Sequence, residues 1–196
     1  INTEENVVLE SAHPYVSGNF DEWSYSYDGD APALKVTFSE LTNLGSYTMS
    51  VTDASGNRTE YTKRELAGKT LILEGKSFVI SNVRAAGFSG AIYGFRITKV
   101  EAMSDEEYAQ LQKERLFTTR TLADGTLEIT GYTGSDEGDM VLPQTIGGVP
   151  VTSVGRLAFN YARWKSVTIP EGYTNIGESA FLNCGNITSI SIPASL

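Results

Sequence analysis

Between Val7 and about Val100, apolar and polar residues alternate over short runs, the period-two mark of half-buried β-strands. Six runs carry it. Trp23, Tyr25 and Tyr27 share one face of the first run, and Leu34, Val36 and Phe38 share one face of the second. Tyr47, Met49 and Val51 repeat the pattern. Leu71 and Leu73, then Phe78 and Ile80, flank Glu74-Gly75-Lys76, a turn short enough for a hairpin. Tyr93, Phe95 and Ile97 close the series. SGN, DGD, DASGN and GFSG lie between the runs, and their Gly, Asn and Asp residues supply the positive φ that turns need. Short strands at this spacing predict an antiparallel β-sandwich.

The alternation stops at SDEEYAQLQKER, residues 104–115. Ser104 with Glu107 three residues on is a capping box that opens a helix, and Tyr108 and Leu111 lie one turn apart on it. A helix with so thin an apolar stripe suits a connector. The expected organisation is a sandwich over 1–102, a helical connector over 103–117 and a repeat region over 118–196.

Self-comparison of the last part reveals the repeat. VTIP at Val167–Pro170 recurs as ISIP at Ile190–Pro193, and VGRLAF at Val154–Phe159 recurs as IGESAF at Ile176–Phe181. The first shift is 23 and the second 22, reconciled by one residue lost near Arg163, which aligns Trp164 with Ile187. A period of roughly 20 to 29 residues with apolar positions in register marks a leucine-rich-repeat solenoid. Its buried ladder runs through Ala158 and Ala180, Phe159 and Phe181, Val167 and Ile190, Ile169 and Ile192. The array breaks off in ISIPASL, mid-turn, so the chain reads as a piece of a longer protein.

TLEITGYTG, VLPQTIGGVPVTSVGRLAF, SVTIP, NIGESAFLNC and ISIPASL resemble the BspA-type leucine-rich repeats of bacterial surface proteins. SAHPYVSG followed by DEWSYSY, ALKVTFSEL and YGFRITKVEA resemble CUB domains, the jelly-roll sandwiches of extracellular proteins, without their disulfide cysteines. The combined fold class is mainly β, a CUB-like jelly roll, a short helix and a solenoid. Calcium-binding CUB domains use a Glu and two Asp residues. Here only the Glu has a counterpart, Glu40, since Ser46-Tyr47-Thr48 and Ala85-Ala86-Gly87 supply no Asp, which speaks against calcium binding of that type. The repeat resemblance implies a secreted or surface-anchored protein that binds host or matrix proteins or other cells, and it implies no catalysis.

Composition narrows the chemistry. His13 and Cys184 are the only His and Cys, so a zinc site of the usual ligands and a disulfide are both excluded. A net charge of −9 opposes binding to nucleic acid or to acidic membrane surfaces. No apolar run approaches the ~18 residues of a membrane-spanning helix. The opening INTEEN has no Met, basic region or apolar region, so any signal peptide is removed or not included.

Individual candidates have plain readings. Cys184 aligns with Ala162, a place for a small buried residue. His13 has no GxSxG elbow to serve and pins its loop to the sandwich edge. Asp28-Gly29-Asp30 and Ser135-Asp136-Glu137-Gly138-Asp139 read as solvated turns, and Trp23, Tyr25 and Tyr27 read as core. Ser166, Thr168, Ser189 and Ser191 point outward from the repeat strands as a polar ladder, flanked by Tyr161, Arg163 and Lys165. These seven form the candidate ligand surface.

The expected function is a non-enzymatic secreted or cell-surface bacterial protein that mediates protein binding and adhesion to host or matrix components, with no cofactor or metal. One alternative is a carbohydrate-binding accessory module holding glycan on Trp23 and Tyr25 or the loops near Tyr93. Another is a structural spacer of a larger surface protein.

Overall fold

The computed structural model describes residues 7–13, 15, 21–83 and 92–196. SGN, GFSG and Ala85-Ala86-Gly87 lie outside them. The fold is mainly β with one helix among the described residues, and no helix there is long and apolar enough to cross a membrane. The chain divides into two compact units, Ile1–Tyr108 and Ala109–Leu196.

The first unit holds strands β1 (Leu9–Glu10), β2 (Glu22–Ser26), β3 (Ala33–Phe38), β4 (Thr48–Asp53), β5 (Arg58–Thr62), β6 (Thr70–Glu74), β7 (Ser77–Val83) and β8 (Arg96–Ala102). They form two four-stranded antiparallel sheets, ordered β1-β8-β3-β6 and β2-β7-β4-β5. The pairs β1 with β8, β2 with β7, β3 with β6 and β4 with β5 are those of one long hairpin rolled up. Inward positions from both sheets, including Leu34, Val36, Phe38, Met49, Val51, Phe78, Ile80 and Ile97, share one core. Trp23, Tyr25 and Tyr27 pack against it, with Trp23 edge-on to Phe95 and Tyr25 stacked on Phe78.

One sequence expectation fails here. Glu74-Gly75-Lys76 does not close a hairpin, because β6 pairs with β3 while β7 pairs with β2 and β4. The turn carries the chain from one sheet to the other, so Leu73 and Phe78 enter the same core from opposite sides. Gly75 makes this crossing with φ at 76°, and a Cβ there would meet the Ala54 side chain at 2.7 Å. Alternation fixes which face of a strand is buried and says nothing about its neighbour.

Polar side chains secure the loops of this unit. The buried Asp53 carboxylate accepts from the backbone N–H of Ser55 (3.0 Å), Asn57 (2.9 Å) and Glu74 (3.2 Å) and from the Asn57 amide (2.9 Å). Burial alone would raise its pKa, but these four donors outweigh burial and hold it below the usual carboxylate range.

The helix α1 spans Asp105–Glu114. Its capping box forms as expected: the Ser104 N–H donates to Glu107 Oε2 at 3.0 Å, and the Glu107 N–H donates to Ser104 Oγ at 3.1 Å. Asp105, Glu106 and Glu107 place negative charge at the positive end of the helix dipole. The division between the units falls inside α1, after Tyr108.

The second unit holds β9 (Phe117–Thr121), β10 (Leu127–Tyr132), β11 (Asp139–Val141), β12 (Thr145–Ile146), β13 (Val149–Val154), β14 (Ser166–Thr168), β15 (Asn175–Ile176) and β16 (Ser189–Ser191). Two parallel ladders organise it, β10-β13-β15 and β11-β14-β16. The registers Val154↔Ile176 and Val167↔Ile190 are those of the sequence repeat. Leu157 and Ser179 have φ of 57° and 56°, and Tyr161 and Asn183 have φ of 65° and 58°, so the two turns repeat even their left-handed residues.

Each ladder has three strands, one more than the repeat reveals. β10 and β11 supply an earlier turn, and β12 with β13 is an inserted hairpin closed by Gly147-Gly148, both with positive φ. Ile129, Val154, Phe159, Trp164, Val167, Ile169 and Tyr173 form the core between turns. At the last turn the expected ladder is not buried: Ile190 is 44% and Ile192 62% exposed, against 1% and 2% for Val167 and Ile169. A rung is fully shielded only when turns stack on both of its sides, and among the described residues β16 has a neighbour on its β14 side alone.

Candidate functional site

The face of the β11-β14-β16 sheet is built by register. Met140, Val167 and Ile190 lie on one side of the three strands, so the residues flanking each lie on the other. This aligns Asp139 with Ser166 and Ser189, and Val141 with Thr168 and Ser191. The predicted residues Ser166, Thr168, Ser189 and Ser191 therefore fall into two in-register rows. Thr168, Ser189 and Ser191 are exposed and Ser166 is half-buried. Ser166 Oγ donates to Asp139 Oδ1 at 2.7 Å.

The flanking residues separate in role. Tyr161 is 69% exposed and held by its left-handed backbone, with its N–H donated to the Leu182 carbonyl. Arg163 is engaged by Glu137 at 2.9 Å. The exposed Lys165 links three turns through its backbone: its N–H donates to the Gly138 carbonyl, and its carbonyl accepts from Thr188 N–H and Oγ1.

Asp139 and Val141 belong to these rows and were not among the sequence candidates. Their signal is present in DMVLP, which matches SVTIP and SISIP, but the inserted hairpin lengthens that turn and hides the period. The segment 135–139 is exposed, as a solvated turn is, and its carboxylates also have protein partners. Tyr132 donates to Asp136, Glu137 pairs with Arg163 and Asp139 accepts from Ser166. Burial, then the bond and charge of Asp136, push the Tyr132 phenol far above its ordinary pKa.

Among the described residues, His13 and Cys184 have the following partners. His13 stacks on Tyr93 with centroids 4.1 Å apart, Nδ1 bonds the Tyr93 carbonyl, and Nε2 lies 2.8 Å from Glu10, which also accepts from Arg96 at 2.7 Å. Burial raises the Glu10 pKa, but Arg96 and His13 overcome this and hold it below its usual value. Cys184 Sγ is half-buried, 3.1 Å from the Phe159 carbonyl, and burial raises its pKa. Its alkylation by iodoacetamide at neutral pH is expected to be at least about tenfold slower in the folded chain than in urea. Equal rates would contradict that. Among the described residues no group of three or more His, Cys, Asp or Glu is placed to hold a metal ion.

Residues 142–196 match the family model described as BspA type leucine rich repeat region (6 copies). The matched segment begins at the C-terminal border of β11 and includes β12 to β16. Among solved structures, the chain is similar to the leucine rich repeat protein of T. pallidum, with 31% identity, 42% of this chain and 39% of that one covered, and a TM-score of 0.40. It is similar to a leucine rich cell surface protein from Faecalibacterium prausnitzii A2-165, with 31% identity, coverage of 41% and 23%, and a TM-score of 0.36. It is also similar to a leucine-rich repeat protein from Bacteroides capillosus, with 26% identity, coverage of 39% and 60%, and a TM-score of 0.35. The chain thus spans less than two thirds of each of these proteins. Among curated proteins no relative matches.

Proposed function

We propose that this chain is a non-enzymatic cell-surface or secreted bacterial protein that binds other proteins, host or matrix components foremost, through the exposed face of β11, β14 and β16. The observation that carries this reading is the pair of in-register rows on stacked repeats that match a leucine rich repeat family. Short hydroxyl side chains make a flat, adaptable surface. Tyr161 and Arg163 beside it are of the types enriched where proteins meet.

The same proposal assigns the N-terminal unit to a CUB-like jelly roll and residues 118–196 to a solenoid. The rolled-hairpin pairing of eight strands supports the first, since two Greek keys wound together make a jelly roll. The one-strand-per-turn parallel ladders support the second. Trp23 and Tyr25 are partly buried with their rings packed against the core, which favours the core reading of these rings over the glycan alternative.

Biolayer interferometry against immobilised collagen, laminin and fibronectin, with albumin as control, tests the reading. Wild-type chain is expected to bind at least one matrix protein, and Thr168→Arg together with Ser189→Arg is expected to weaken binding about tenfold, the effect of one lost hot-spot contact. Absence of binding above albumin, or unchanged binding by the folded double variant, would count against it.

A further inference from the structure

The two parallel ladders of the second unit end differently. β9 pairs with β10 and so covers the outer edge of one ladder, whereas β11 stands at the edge of the other, paired among the described residues with β14 alone. An uncovered strand edge presents unpaired N–H and C=O groups, which other chains can join.

The free groups can be named. Leu142 N–H donates to the Thr168 carbonyl and the Gly138 carbonyl accepts from Lys165, so the peptide groups of 138 and 142 are turned to β14. Because successive residues of a strand turn their peptide groups to opposite sides, those of Asp139 and Val141 face away from it. Val141 is 64% exposed.

A groove of about 910 Å³ runs along this edge, at the upper end of the roughly 300–1,000 Å³ typical of binding clefts. Leu116, Phe117, Met140 and Pro143 supply apolar lining. The charged lining is acidic, with Glu114, Asp136 and Asp139 against Lys113, while Glu137 is paired with Arg163.

We propose that the β11 edge is a peptide-binding site, which takes an extended basic segment of a partner protein as an added strand. This goes beyond the reading of the sheet face, since the contacts are backbone groups at the edge. Side chains of an added strand alternate as those of β11 do. Those in register with Asp139 meet carboxylate and call for Lys or Arg, while those in register with Met140 meet the apolar lining. Main-chain bonds supply affinity and the alternate side chains supply selectivity.

The test uses the full chain and a short fluorescein-labelled peptide of alternating Lys and Val, read by fluorescence anisotropy. Two further peptides keep the charge but carry N-methyl groups on alternate amides, one in each phase. The parent peptide is expected to bind, and one methylated phase is expected to bind at least about tenfold more weakly, the loss of one or two hydrogen bonds. Val141→Pro removes an N–H that faces outward and is tolerated on an edge strand, and it is expected to weaken the parent peptide by the same factor. Thr168→Arg on the sheet face is expected to leave it unchanged, which separates this site from the face. No binding of the parent overturns the proposal, as does equal binding of both methylated peptides or by a folded Val141→Pro chain. If Val141→Pro fails to fold, the methylated peptides decide alone. Sedimentation showing a wild-type dimer that Val141→Pro dissolves would give the edge to a second copy and equally overturn it.

Discussion

Asp53→Ala is expected to cost about 2 to 3 kcal/mol of stability in the first unit, because bonds to a charged acceptor are individually worth about 1.5 to 3 kcal/mol, while the exposed Ser55 and Asn57 let water take over part of the lost bonding. The carboxylate joins the end of β4, the loop to β5 and the last residue of β6 in one cluster. Truncation leaves three backbone N–H groups and the Asn57 amide without their acceptor. The chain has two tryptophans, Trp23 in the first unit and Trp164 in the second. Urea unfolding followed by Trp23 fluorescence in a Trp164→Phe background reads the first unit. A loss under about 1 kcal/mol, the scale of one ordinary bond, would show that water replaces the carboxylate.

The same residue gives a pH signature. The folded pKa of Asp53 lies below the ordinary value of 3.8, so its contribution is fully present above that value and is lost as pH falls through the folded pKa. The gap in stability between wild type and Asp53→Asn is therefore expected to be constant from pH 7 to pH 5 and to close below about pH 4. A gap that stayed open at the lowest pH where both chains fold would reject the ionised hub.

Much of this architecture is legible before folding, for reasons that differ by element. β3 and β4 read cleanly because one face of each is buried and the other is partly wet, which forces period two. The repeat reads cleanly because stacked turns must place Val167 beside Ile190 and Val154 beside Ile176. β5 did not read, since Arg58–Thr62 is an edge strand with mainly exposed residues and has little apolar pattern. The partners of β6 and β7 did not read because burial selects a face and leaves topology open.

The candidate surface was half legible. Ser166, Thr168, Ser189 and Ser191 follow from the repeat period alone. Asp139 and Val141 required the structure, since the Gly147-Gly148 hairpin interrupts the period between their turn and the next. The β11 edge is likewise invisible in sequence. It depends on where β9 goes, and β9 covers β10 instead.

Gly177→Ala is expected to destabilise the second unit by about 3 kcal/mol, the upper range for inserting a methyl where none fits. Gly155 and Gly177 occupy the same place in successive turns, and there the backbones touch: Gly177 N–H donates to the Val154 carbonyl at 2.7 Å, and Gly155 N–H to the Ile129 carbonyl at 2.8 Å. A Cβ on Gly177 would lie 2.6 Å from Arg156 N and 2.7 Å from Gly155 C. Those are main-chain atoms inside a ladder, so relief requires the two turns to separate and to lose the register of β13 with β15. Gly185 is the internal control, since a Cβ there meets nothing within 4 Å, and Gly185→Ala is expected to change stability by no more than about 0.5 kcal/mol. Urea unfolding followed by Trp164 fluorescence in a Trp23→Phe background measures both. Trp164 is the right reporter because it is buried between Tyr132 and Phe159, in the core that stacking creates. Equal stabilities of the two alanine variants would mean that the turns are not held at backbone contact. The glycine would then be dispensable to the repeat.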